Sequence, residues 1–425
     1  MLINTDAEAL EPAHLSQTLA DYFSGDVHTT TAFTPTLKAA RKMLADFKLS
    51  GYAKTRNHVD GGISRLNPYI TWGVFTLREL QAAVRGKGAP QDYKKFVSEI
   101  AWKAYFREGF LALGDRVYDS LEPYKYPTRK RDELPDDLAN GTTGLGCIDE
   151  IVLELKSTGF LHNHKRLWFA ANLVHFENIE WWHGEALFYH YLLDGEPGPN
   201  ALSWQWVAST FARKPYFFNA QNMRKYGHTP CDNAPFDKSY EALDREYFDG
   251  YGDGSYAKRP QEQPRSEGDW YMPSLVRNLG DKPLVLLHAE RLSDEAAVLD
   301  AAPDAPVLVL LDGERFKKEQ PSFMRLHWAL SLAADLVNTL RERGRDADLM
   351  LLENPQDVAS YARDKDCESL AAPDSWHPDT WETLAELNRE LSVSVVPDPA
   401  FAQVKASLRS FSAYWKKAQK DVMRR

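Results

Sequence analysis

Between Thr158 and Trp206 the chain sets His162, Asn163 and Arg166 on one helical run and Trp181 and Trp182 on a second. The carboxylates Asp194 and Glu196 follow on a turn ahead of Asn200, Trp204 and Trp206. A segment so rich in indoles buries charge, amide and aromatic groups together, and buried charge is costly unless something pairs with it. The pattern points to a large, polar, aromatic ligand held among paired charges.

At 425 residues the chain exceeds one ordinary core, so two domains are expected. With 43% hydrophobic and 26% charged residues, the composition is that of a globular, soluble protein. No apolar run reaches bilayer length and no charged-then-apolar leader opens the chain, so a cytoplasmic location and no membrane partner are expected. Cys147, Cys231 and Cys367 lie far apart, which argues against a disulfide framework and a thiolate metal cluster. The formal charge of −10 means that any nucleic-acid binding must come from a local basic patch.

Residues 1 to about 30 read as a loosely held leader with a short helical stretch near His14 to Phe23. Leu37, Ala40, Met43, Leu44 and Phe47 then share one helical face. Gly61, Gly62, Ser64 and Asn67 form a small-residue loop ahead of Pro68, a turn feeding a helix start whose N–H groups and hydroxyl can hold phosphate. From Gln91 to Leu113, Phe96, Glu99, Trp102, Lys103 and Phe106 recur at spacings of three and four, so a carboxylate shares the aromatic face.

After a charged, Gly/Pro-rich stretch from Gly250 to Pro273 the pattern changes. The apolar runs PLVLLHA, APVLVLLD, ADLMLLE and SVSVVPD suit buried parallel strands, and amphipathic helices separate them. The order predicts an open, doubly wound sheet.

Four motifs carry a family resemblance. They are Ser64 to Tyr69, Glu99 to Phe106, Thr158 to Arg166, and Asp194-Gly195-Glu196 through Asn200 to Trp206. Together they resemble the flavin-binding helical domain of the photolyase/cryptochrome family. The implied fold is an all-α FAD-binding domain over residues 1–275, with a linker at about 250–282. A Rossmann-like α/β domain over 283–400 and a basic C-terminal helix over 401–425 complete it. In the family the α/β domain comes first, and its start resembles Leu284 to Leu299 with Arg291 and Asp294, so the chain reads as circularly permuted.

The resemblance implies FAD as cofactor, with Tyr52, Ile63, Ser64, Arg65, Leu66 and Asn67 at its phosphates and Phe96, Lys103, His162 and Asn163 around it. Arg166 and Asp194 fall beside the flavin ring, Gly195 and Glu196 in the same turn, and Asn200 opposite the flavin N5. Lys103 replaces an Arg, keeping the charge but losing the planar fork. Trp204 and Trp181 match the inner and middle members of a reducing chain. The outer position falls on Thr128, leaving Tyr124, Tyr126 or Trp182 as its end.

Glu99, Trp102 and Trp206 match the residues that hold a flipped-out cyclobutane pyrimidine dimer, and Asn163 agrees with that lesion. His164 and Leu167 take two further DNA-facing positions. UV-damaged DNA, single- or double-stranded, is the implied partner. No iron–sulfur cluster is expected, since only Cys231 lies in the region where relatives hold one. The antenna pigment and the oligomeric state stay open. Two other functions remain beside light-driven dimer repair: a cryptochrome-like light sensor, and a nucleic-acid-binding module without photochemistry.

Overall fold

A computed structural model describes residues 1–228, 230, 231, 233–253, 279–402, 404 and 410–424. Most of the expected linker, together with Lys405, Arg409 and Arg425, lies outside the described residues. The chain forms two compact units, Met1–Phe47, Ser64–Arg85 and Gly268–Gln403 in one, and Lys48–Ile63, Gly86–Glu267 and Val404–Arg425 in the other. Residues 1–47 and 64–85, read as part of a helical domain, thus cluster with the sheet.

The first unit holds a six-stranded sheet in the order β1-β4-β3-β2-β5-β6, with β1 Leu2–Ile3, β2 Pro283–His288, β3 Val307–Asp312, β4 Ala347–Leu352, β5 Ser369–Ala372 and β6 Ser392–Val395. All pairings are parallel except β1 on β4. The central strands are apolar because helices cover both faces of such a sheet. Phe323–Glu342 is the longest crossover, capped by the Ser322 hydroxyl accepting from the Arg325 N–H.

Two elements were not foreseen. The start of the chain is no loose leader: Leu2 and Ile3 pair with β4, and the Met1 amine donates to the Leu351 carbonyl at 2.9 Å. The strand Ser369–Ala372 escaped notice because a run of Ser, Leu and two Ala has little β propensity of its own. Its burial between β2 and β6 holds it in the sheet. Strand order reverses between β2 and β5, and at the end of β2 the Glu290 carboxylate is buried, 2.8 Å from His288 Nδ1. Arg291 is held by Asp398 at 2.7 Å and Glu79 at 3.0 Å, and Asp294 by Arg41 and Arg343.

In the second unit, Pro90–Leu113 packs on Pro197–Ala208, which also packs on Trp181–Tyr191. Helix ends are set locally: Pro occupies the first turn of Pro90–Leu113 and Pro197–Ala208, and Gly159, at φ 66°, stops Gly146–Thr158. The unit also corrects the cysteine reading. Cys147 and Cys231 form a disulfide, with Cα atoms 5.7 Å apart. Their wide sequence separation concealed a pairing that only tertiary packing creates.

Candidate functional site

Arg166, one turn into Asn163–Ala171, meets Asp194 on the turn before Pro197–Ala208. Its Nη2 donates to both carboxylate oxygens at 2.9 Å, and its Nε donates to the Leu161 carbonyl at 3.0 Å. The Asp194 side chain is fully buried. Beside it, Glu196 accepts from Lys103 Nζ at 2.7 Å, from Arg107 Nη2 at 2.7 Å and from Arg107 Nε at 3.0 Å.

Burial alone would raise the Glu196 pKa, but Arg107 and Lys103 outweigh it and hold the carboxyl below its ordinary range. Burial pushes Lys103 down, against the pull of Glu196. Lys103 and Arg107 thus pair with Glu196, and Arg166 with Asp194, in one cluster of buried charges. Paired charges of this kind suit the lining of a site for a large polar ligand.

Arg107 was missed by sequence reasoning. Its fork grips Glu196 through two nitrogens, a contact that Lys103 cannot make. The signal was present, because Arg107 lies four residues after Lys103 and hence on the same helix face.

Glu99 lies on the same helix. It pairs with Lys95 at 2.6 Å and with Arg56 at 3.2 Å, the latter reaching over from the end of Tyr52–Thr55. Tyr52 packs edge-on against Phe96, 5.4 Å between centroids, and burial raises its pKa. Trp102, one turn beyond Glu99, is covered. Phe411 of the C-terminal helix Phe411–Val422 stacks on it at 3.7 Å with the planes 11° apart. Trp206 leans instead on Tyr216, 5.6 Å away.

The His162 side chain caps Asn163–Ala171 by accepting from the His164 N–H at 3.1 Å. Burial, with Arg166 among the adjacent charges, lowers His162 to about 4, and burial likewise lowers His164 to about 4. Both imidazoles are therefore neutral at pH 7. Asn163 is exposed and Leu167 half-buried. Ile63 belongs to the helical unit, whereas Ser64 to Asn67 belong to the sheet unit. In that loop Ser64 Oγ accepts from the Leu66 N–H, and Arg65 takes a left-handed backbone at φ 55°. Gly195 N–H donates to the Leu192 carbonyl at 3.1 Å. The Asn200 side-chain nitrogen is engaged by Glu185, through its carbonyl at 2.9 Å and its carboxylate at 2.8 Å.

Trp204 is buried against Phe188 at 5.0 Å and Phe169 at 6.2 Å. Its ring lies over Gly184, where an added Cβ would stand 2.1 Å from the indole, so only glycine admits this packing. Trp181 is fully buried, donates Nε1–H to Ser120 Oγ at 2.9 Å and sits 5.9 Å from the Trp182 ring. Trp182 lines a groove of about 500 Å³ with Tyr118, Tyr124 and Glu180. Thr128 bonds to Asn178 instead, at 3.0 Å.

Near this groove Lys130 Nζ donates to Tyr126 Oη at 2.8 Å and to the Val174 carbonyl at 2.5 Å, and burial pushes its pKa down from 10.5 to about 7. The folded state thus binds the proton less readily than the unfolded chain. The penalty is full below pH 7 and is relieved as pH rises from about 7 toward 10.5. Denaturant melts over that range are expected to show wild type gaining stability relative to Lys130→Met.

The buried ion pairs, the capped helix and the indole pair all fall within one stretch of chain, and that stretch has relatives. Residues 96–240 match the FAD binding domain of DNA photolyase. The chain is 30% identical over 183 residues to a deoxyribodipyrimidine photo-lyase of Thermus thermophilus, covering 42% of this chain and 43% of that one. It is 31% identical over 183 residues to the enzyme of the same name from Alkalihalophilus pseudofirmus, covering 41% and 38%. Among solved structures, a class III photolyase from Agrobacterium tumefaciens matches 51% of this chain and 45% of its own at 24% identity, with a TM-score of 0.42. The chain thus spans less than half the length of these curated relatives.

The matched segment contains Glu99, Trp102, Lys103, Arg107, Arg166, Asp194, Glu196, Asn200, Trp204 and Trp206. Phe411 lies outside it, and no residue spacing relates it to Trp102.

Proposed function

We propose that the helical unit binds FAD and acts in light-driven repair of cyclobutane pyrimidine dimers in UV-damaged DNA. The observation that carries this reading is the buried cluster of ion pairs Arg166–Asp194 and Lys103–Arg107–Glu196, inside the segment that matches a photolyase FAD-binding domain. Bound, reduced FAD supplies the electron that splits a dimer after excitation by blue light. Every other task falls to side chains.

In this reading Arg166 offsets the negative charge of the reduced ring, and Asp194 fixes the guanidinium in place. Lys103 and Arg107 offset ligand charge while Glu196 keeps both protonated and oriented. Tyr52 and Ile63 contribute to phosphate binding, with His162, Asn163 and Asn200 along the ring. Trp204 and Trp181 return electrons from the surface, and Trp182, in ring contact with Trp181, ends the relay. Glu99 hydrogen-bonds the lesion, which Trp102 and Trp206 flank. Extruding a damaged, poorly stacked pair costs less than extruding a normal one, and this favours the lesion. The order of helical and α/β segments is that of a circular permutation, and the protein acts in the cytoplasm.

A second reading, a light sensor whose C-terminal helix changes its docking after photoreduction, is favoured by one observation. Phe411 already stacks on one face of Trp102, where it competes with a base for that ring.

Purified protein is expected to be yellow, and with light to remove dimers from an irradiated oligonucleotide. Glu99→Ala should lower repair by about 10²-fold or more while sparing flavin content. Trp204→Phe should abolish photoreduction and leave repair by pre-reduced protein intact. Colourless protein sinks both light-driven readings, and a yellow, photoreducible protein that leaves dimers untouched selects the sensor.

A further inference from the structure

We propose that His58, Asp60 and His228 form a binding site for a zinc-class divalent cation, outside the flavin-site residues. One ligand atom from each lies within 4.8 Å of the other two. Nε2 of His228 stands 3.6 Å from Oδ2 of Asp60, and the imidazole rings of His58 and His228 are stacked with centroids 6.5 Å apart. Zinc holds nitrogen and oxygen ligands at about 2.0–2.2 Å, which in a tetrahedron sets them about 3.3 Å from one another. The side chains of Asp60 and His228 are 72% and 64% exposed. Rotation about their own bonds closes the difference without disturbing a core.

The backbone brings these three side chains together. The Val59 N–H, between His58 and Asp60, donates to the Tyr226 carbonyl at 2.8 Å, and the Gly61 N–H closes a turn on the His58 carbonyl at 2.9 Å. Tyr226 belongs to Ala220–Gly227, and His228 ends that helix in a left-handed conformation at φ 57°. The His58 ring also packs on Tyr226 at 5.0 Å. Two segments far apart in sequence are thus pinned to each other at the point where the ligands converge. An isolated His228–Asp60 ion pair would explain neither the stacked second imidazole nor the backbone bond.

The donors select the ion. Two imidazole nitrogens and one carboxylate oxygen suit borderline metals such as zinc, whereas magnesium and calcium require a shell of oxygens. With two exposed ligands, the remaining coordination positions open to solvent. A bound cation would staple the stretch that carries Arg56, the partner of Glu99, to the end of Ala220–Gly227.

The test is calorimetric titration of the full-length, tag-free, chelator-stripped chain with Zn²⁺, with Mg²⁺ as control. One Zn²⁺ per chain and no Mg²⁺ response are expected. His58→Ala and His228→Asn should each weaken binding by more than the about tenfold that loss of an outer-sphere partner costs. Asparagine tolerates the left-handed backbone at position 228, so His228→Asn keeps the fold even if His58→Ala does not. Zinc affinity unchanged in His228→Asn, or equal responses to Mg²⁺ and Zn²⁺, would overturn the site.

Discussion

Glu196→Ala is expected to destabilise the helical unit by about 3–5 kcal/mol, the range found when one partner of a buried ion pair is removed. The substitution removes the carboxylate that pairs with both Lys103 and Arg107, whose side chains are each only 11% exposed. Like charges in a poorly solvated space repel, and Lys103, already pushed down by burial, would respond by losing its proton. Glu196→Gln should fall between the two, since it keeps the volume and some hydrogen bonds but not the charge.

The same pairing sets an acid limit. The folded pKa of Glu196 lies below its ordinary 4.5, so its contribution is present above that value and is lost as pH falls through the lowered folded pKa. In urea melts from pH 7 down to pH 3, the gap between wild type and Glu196→Gln should therefore begin to narrow below pH 4.5. Parallel curves across the range would mean that the charge of Glu196 contributes nothing.

Part of this site was legible only through family resemblance. Arg166 and Asp194 were expected to pair because the motifs Thr158 to Arg166 and Asp194-Gly195-Glu196 resemble those of the photolyase/cryptochrome family, and the two side chains do meet. The parallel strands were legible where valine and leucine formed unbroken runs, as in Val307–Asp312, and not in Ser369–Ala372, where alanine and serine leave the conformation to tertiary packing. Leu2–Ile3 was hidden for a related reason, since two residues carry no periodicity. Gly184 could not be recognised as the floor under Trp204, because the close approach exists only once two helices pack. The Cys147–Cys231 bond and the cover on Trp102 belong to the same class, contacts between segments that no local pattern connects.

Phe411→Ala is expected to tighten binding of a dimer-containing oligonucleotide, by up to about 5- to 150-fold. That is the equivalent of the roughly 1–3 kcal/mol by which a base stacks on an aromatic ring. Phe411 and a base compete, because one face of Trp102 cannot hold both the phenyl ring, 3.7 Å away, and a base. The helix behind Phe411 is anchored by Tyr414, Ala418 and Val422, all buried. Yet the Tyr414 hydroxyl is buried with no hydrogen-bond partner among the described residues, which makes docking less favourable than its apolar area alone suggests. The opposite face presents Lys416, Lys417, Lys420 and Arg424 to solvent, a local basic patch on a chain of formal charge −10. Once released, that patch can meet DNA phosphates, so the gain from Phe411→Ala should be greater at low salt. Tyr414→Phe serves as the control, removing an unpartnered hydroxyl while leaving the ring over Trp102 in place. If Trp102→Ala abolishes lesion binding while Phe411→Ala leaves it unchanged, Phe411 does not stand in the path of the base. If neither alters it, Trp102 is not the lesion's stacking partner, and the repair reading loses its pocket.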